Sequence, residues 1–215
     1  MMKKMMMIAA MMVATLTASA QRSVIEPGQF GLQPKVGVNM GMVSDDNSKL
    51  KFGMVAGFEG QYQVNNWFGL SLGILYSQQG SKFKDLNDVK LNTEYLNIPV
   101  MAKFYVAKGL SLNVGVQPGF LTKSKFNVGG YNMYIDDMKL EGEADIKDNT
   151  NKFDFSIPMS IAYEFDFGLA IEARYTSGLT NVMKNAFDST ASTYDKTYKN
   201  KNEVISLTVG YKFGF

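Results

Sequence analysis

Residues 203–215 read EVISLTVGYKFGF, and their alternation decides the fold. Ile205, Leu207, Val209, Tyr211, Phe213 and Phe215 fall on one face; Ser206, Thr208, Gly210, Lys212 and Gly214 fall on the other. Side chains alternate across a strand with period two, so the stretch is a β-strand with one apolar and one polar face. Its length suits a transmembrane barrel strand, which needs about 9–11 residues, apolar toward lipid and polar toward the lumen.

The same pattern recurs upstream, over residues 35–43, 51–64, 67–79, 93–106, 110–122, 152–165 and 169–177. Between the strands, polar stretches (44–50, 80–92, 123–151, 178–202) alternate with tight turns at Asn65-Asn66, Ala107-Lys108-Gly109 and Asp166-Phe167-Gly168. Short turns on one side and longer loops on the other are the rhythm of a membrane barrel. An even strand count puts both termini on one side, expected to be periplasmic. A soluble lipocalin-like barrel also alternates, with its apolar side inside. Small residues on the polar face, aromatics near strand ends and the loop rhythm favour the membrane form. The expected fold class is therefore all-β, an eight-stranded antiparallel up-and-down transmembrane barrel.

The chain begins MMKKMMMIAAMMVATLTASA. Lys3 and Lys4 before an apolar run, ending in Ala18-Ser19-Ala20, form the pattern of a secretory signal peptide. The run is too short for a spanning helix, which needs about 20 apolar residues. The expected organisation is a signal peptide over residues 1–20, cleaved before Gln21, and one barrel domain over 21–215. Loss of Lys3 and Lys4 takes the formal net charge from +2 to 0. That balance offers nothing to nucleic acid. With no cysteine there is no disulfide framework, and with no histidine there is no imidazole catalysis or His metal site. Pro99 and Pro158 sit inside strand patterns, where proline marks a bulge or bend.

The first strand PKVGVNMG, the central YLNIPVMAKFYV and the terminal VGYKFGF resemble the PorT-like outer-membrane β-barrel family of Bacteroidetes. The resemblance covers nearly the whole mature chain, and Tyr95-Leu96-Asn97-Ile98-Pro99 with Lys103-Phe104 is its most specific piece. It implies an eight-stranded barrel integral to the outer membrane, with no single activity attached. Tyr211, Phe213 and Phe215 look like the terminal signal that barrel-assembly machinery reads.

The charges expected to face inward are Lys35, Glu59, Lys103, Glu164, Glu172, Arg174 and Lys212. Eight strands enclose a space that side chains just fill, and buried charges of mixed sign must pair there. The expectation is a salt-bridged plug, with Glu59, Glu172, Lys103 and Arg174 the first to test for pairing; a narrow conduit or small-ligand site is the alternative. Loop acids (Asp45, Asp46, Asp136, Asp137, Glu141, Glu143, Asp145) read as solvated charge, since they lack EF-hand spacing. Tyr131, Tyr134, Tyr194 and Tyr198 could contact glycans or proteins, or pack the loops.

The function expected from the sequence is a structural or interaction barrel displaying surface loops, with no cofactor and no metal. A narrow porin-like or ligand-binding barrel is the alternative; a secretion accessory or a lipid-modifying enzyme is less favoured. Expected partners are outer-membrane lipid, the assembly machinery and an extracellular or envelope protein.

Overall fold

The structure is a computed structural model describing residues 25–44, 48–83, 90–127, 133–135, 138–140, 142–183 and 200–214. Eight long strands run antiparallel: β1 (Phe30–Val43), β2 (Lys51–Asn65), β3 (Phe68–Phe83), β4 in two pieces (Lys90–Asn97 and Val100–Ala107), β5 (Leu110–Asn127), β6 (Phe153–Glu164), β7 (Leu169–Asn181) and β8 (Lys201–Tyr211, continued by Phe213–Gly214). Each pairs with the next, and β8 closes on β1 through a ladder from Lys35↔Gly210 to Val43↔Asn202. The result is a closed up-and-down barrel.

Burial decides which face is inside. Gln33, Lys35, Asn39, Glu59, Gln61, Lys103, Asn113, Glu172, Arg174 and Lys212 are buried, whereas Phe52 is 68% and Phe58 59% exposed. Val36, Val38, Leu70, Leu72, Ile74, Ile161, Ile205 and Leu207 are also exposed. This inverts a soluble barrel. A wall of large apolar side chains facing outward has the hydrophobic effect against it in water and with it in lipid.

Aromatic side chains edge that wall at two heights. At the short-turn end, Phe30 packs against Tyr62, Trp67 and Phe68 against Phe104, Tyr163 edge-on against Phe165, and Tyr211 against Phe213. At the other end stand Phe52, Tyr76 and the Phe120–Phe153 pair. Tyr62 and Phe52 lie on one strand. At ~3.3 Å per residue and a tilt of about 40°, they are roughly 25 Å apart in height, the thickness of the apolar band.

Several boundaries differ from those read in the sequence. The lead-in joins the sheet from Phe30 onward, with Phe30↔Tyr62 and Pro34↔Phe58 paired to β2. Parts of all four expected loops are also strand: Ser48–Lys49 pairs with β3, β3 runs on to Phe83, β4 begins at Lys90, β5 extends to Asn127, β7 runs to Asn181, and β8 begins at Lys201. Outward these tips are polar because the wall continues above the bilayer, while Leu91 and Phe126 turn inward, so the polar-in, apolar-out alternation of the membrane segment no longer marks them. Trp67 belongs to the turn rather than to β3, and β6 stops at Glu164.

The two prolines differ. At Ile98-Pro99 the strand is interrupted, but Ile98 N donates to Pro118 O and Gly73 N to Pro99 O, both at 2.8 Å, so the wall stays sealed. Pro158 lies within β6, paired to Thr176, where the β6–β5 ladder skips from Ser156 to Met159.

Candidate lumen site

The lumen is built in layers, each supplied by inward positions of several strands. The middle layer holds five charges. Lys35 Nζ is 2.8 Å from both Glu59 Oε2 and Glu172 Oε2. Lys103 Nζ is 2.9 Å from Glu59 Oε1. Arg174 donates from Nη2 to Glu59 Oε2 at 3.0 Å and from Nε to Glu172 Oε1 at 2.9 Å. Glu59 is 1% exposed and sits between three cations. Two carboxylates against three cations leave the layer one positive charge in excess.

The layer below, toward the short turns, pairs Lys212 with Glu164. Lys212 Nζ also donates to Gln61 Oε1 at 2.7 Å, and Tyr105 donates its hydroxyl to Glu164 at 3.0 Å. Gln61 Nε2 donates to Tyr105 at 2.8 Å and to Gln63 Oε1 at 2.7 Å. The inner wall opposite is glycine: a Cβ on Gly69 would lie 2.9 Å from Gln63 Oε1 and 3.1 Å from Gln61 Nε2. Those amides occupy space that only glycine leaves.

The layer above is amides and hydroxyls. Asn39 Nδ2 donates to Ser77 Oγ at 2.9 Å and Ser206 donates to Asn39 Oδ1 at 2.7 Å, while at the level of the charges Asn113, the ladder partner of Lys103, donates to Ser160, the ladder partner of Arg174, at 3.0 Å. Between this layer and the charges remains a cavity of about 20 Å³, lined by Lys35, Asn97, Gln117, Glu172, Arg174 and Ser206 among others. That is room for about one water. A conduit for solutes would need a continuous void, far larger than this one.

Each mouth is also covered. At the short-turn end Ile25, 1% exposed, packs over the opening so closely that a Cβ on Gly31 would lie 2.2 Å from its Cδ1. Gly28 N and Gln63 N exchange hydrogen bonds with Gln63 O and Gln29 O, fastening that segment to β2. At the long-loop end Val43, Leu91, Phe126, Ile146 and Val182 form an apolar cluster. Ile146 N donates to Ser124 O at 3.0 Å, Thr150 shares a 2.7 Å hydrogen bond with Ser124, and Asn151 N donates to Val182 O at 2.8 Å. Residues 143–145 ladder onto the β5 tip, and residues 146–151 turn in across the mouth as a strap.

All seven inward charges read from the sequence stand in the lumen, in two groups: Lys35, Glu59, Lys103, Glu172 and Arg174 together, Glu164 and Lys212 below them. Asn39 and Gln61 share the inward parity of Lys35 and Glu59, and Tyr105, absent from the sequence reading, is inward by the same parity with Lys103. Ile25 and Ile146 gave no signal, each lying in a polar stretch with no strand periodicity. Tyr211 and Phe213 face outward beside each other; Phe215 lies outside the described residues, as does the expected signal peptide. Of the loop acids, Glu143 pairs with Lys125 and Asp145 accepts from Lys147 N at 2.8 Å. Asp45, Asp46, Asp136, Asp137 and Glu141 lie outside the described residues, as do Tyr131, Tyr194 and Tyr198; of Tyr134 only the backbone is described, in a short hairpin.

The family model named Outer membrane protein beta-barrel domain matches residues 19–184, well over half of the chain. The chain belongs to that family. It is an integral outer-membrane β-barrel protein. No curated protein matches it in sequence. Among solved structures, the Neisserial surface protein A (NspA) is similar at a TM-score of 0.52 and 11% identity, over 86% of this chain and 97% of that one. Ail, the attachment invasion locus protein of Yersinia pestis, aligns at 0.46 and 18% identity, over 87% and 99%. OprG of Pseudomonas aeruginosa aligns at 0.39 and 11% identity, over 88% and 97%. At these identities the likeness is one of fold.

Proposed function

We propose that this protein is a closed-lumen outer-membrane scaffold, without enzymatic activity, that presents its long loops to an envelope or extracellular partner. The observation that carries this reading is the filled interior: paired charges in two layers, a void of about 20 Å³ between charge and amide layers, and a cover at each mouth. Rigidity is what such an interior provides. A salt-bridged lumen costs desolvation and permits little movement, which suits a platform better than a path.

On this reading a leader over residues 1–20 directs export, the short turns and both termini lie in the periplasm, and the long connections lie outside. The PorT-like resemblance of the YLNIPVMAKF stretch is the finer family placement within the same proposal. The aromatic outward face of Tyr211 and Phe213 is the segment offered to assembly machinery.

Vesicle swelling tests this function. Liposomes carrying the refolded protein should swell in isotonic small sugars at the rate of protein-free liposomes. Swelling that rises with protein content would replace the scaffold with a porin.

A further inference from the structure

On the outer wall above the upper aromatic level, lysines face one another across strands. Lys49 is the direct partner of Lys82, and Lys82 of Lys90. Directly opposed like charges destabilise a sheet. The neighbouring strand shows the usual remedy: Lys123 lies 3.4 Å from Glu94, and Lys125 pairs with Glu143. Among the described residues no carboxylate pairs with Lys49, Lys82 or Lys90. The connections that flank the row, residues 45–47 and 84–89, lie outside the described residues and bring Asp45, Asp46, Lys84, Asp85 and Asp88.

Position says what kind of anion fits. Cross-strand partners share a face, and on β3 that face carries Leu70, Leu72, Ile74 and Tyr76 before Gln78 and Lys82. The row is therefore a continuation of the lipid-facing wall. Lys82 stands six residues beyond Tyr76, ~20 Å along the strand and about 15 Å in height at the tilt of a barrel. Lysine stems can also reach back down along apolar surface to the interface. We infer that Lys49, Lys82 and Lys90 form a binding row for the phosphate groups of lipid head groups in the leaflet at the long-loop end. The inference rests on the membrane barrel itself and is independent of whether the lumen is closed.

The test uses the full chain refolded into nanodiscs containing a phosphorylated glycolipid or its dephosphorylated counterpart. Lipid retained on the protein after mild detergent extraction is counted by native mass spectrometry. The protein should retain the phosphorylated form several-fold over the other. Lys49→Gln/Lys82→Gln/Lys90→Gln, checked for folding by its heat-modifiable electrophoretic mobility, should lose that preference; Lys147→Gln should keep it. A preference that survives the triple substitution, or none in the unaltered protein, would overturn the assignment. Millimolar inorganic phosphate distinguishes the source: the preference should persist in its presence. Abolition would mean a free-phosphate site and would overturn the lipid one.

Discussion

Lys35 and Glu59 make a 2.8 Å ion pair on a diagonal of the sheet rather than across it. In the ladder Glu59 opposes Gln33, while Lys35 opposes Gly57. Diagonal positions are roughly 7–8 Å apart at Cα, a span that two long side chains close. The glycine opposite Lys35 on β2 is matched by Gly210 on β8. The ammonium thus extends into the lumen between two positions that carry no side chain.

Because Glu59 serves three cations, its loss should be felt far beyond one contact. Glu59→Gln leaves Lys35, Lys103 and Arg174 with Glu172 as their one remaining carboxylate in the layer. Removing one partner from a buried ion network costs about 3–5 kcal/mol. Urea unfolding in vesicles should show that loss for Glu59→Gln. Asp166→Asn, which breaks an exposed turn pair with Lys108, should change stability by under about 1 kcal/mol. Equal effects would mean the lumen is hydrated and the pairs are screened.

Lys212 and Glu164 form the lower pair with Tyr105 and Gln61 around them. Lys212→Met and Glu164→Gln should each destabilise the barrel strongly, and the double variant should cost less than the two single losses added together. A double-mutant cycle in urea should give a coupling of about 1–3 kcal/mol. Strict additivity would mean that the two charges do not sense each other.

Sequence parity reached the lumen charges because period two is the one regularity a barrel imposes on every strand. Lys35, Glu59, Glu172 and Arg174 could be placed inside from their neighbours Val36, Phe58, Ile171 and Ala173 alone. What parity could not supply was height. Asn39, Glu59 and Glu164 read alike as inward polar residues, yet they belong to three different layers, and the stagger between strands sets which residues meet. The strand tips around Lys82, Lys90 and Lys125 read as loop because their outward face is polar and the apolar residues, Leu91 and Phe126, stand on the inward one, against the parity of the membrane segment. The corks were invisible for another reason: Ile146 and Ile25 are buried by chain that returns over a mouth, which no local pattern encodes.

The lipid-facing wall makes its own prediction. Leu72 is exposed on the outer face, midway between the Phe68 and Tyr76 levels. Leu72→Arg should cost about 2–4 kcal/mol in a bilayer, the penalty of arginine near the midplane. Leu50→Arg, just outside β2, should be nearly neutral. Refolding yield into vesicles, followed by heat-modifiable mobility, checks both. A Leu72→Arg protein that refolds as well as the unaltered one would place that face in water.

Ile146 anchors the strap over the long-loop mouth. Ile146→Ala removes the side chain at the centre of the Val43, Leu91, Phe126 and Val182 cluster and should cost the strap about 2–4 kcal/mol of local stability. Hydrogen exchange at the amides of Ile146 and Asn151 should accelerate while exchange in β1 and β2 stays unchanged. Unchanged exchange at both amides would mean that the backbone bonds to Ser124 and Val182 hold the strap without the apolar anchor.

Single-channel recording in a planar bilayer tests the closed lumen most directly. The refolded protein should give no steady conductance, and neither should a variant lacking residues 128–142, because the ion layers remain beneath the strap. Steady, ohmic conductance from the intact protein would contradict the account, since ions would then be crossing a lumen that Lys35, Glu59, Lys103, Glu172 and Arg174 are held to fill.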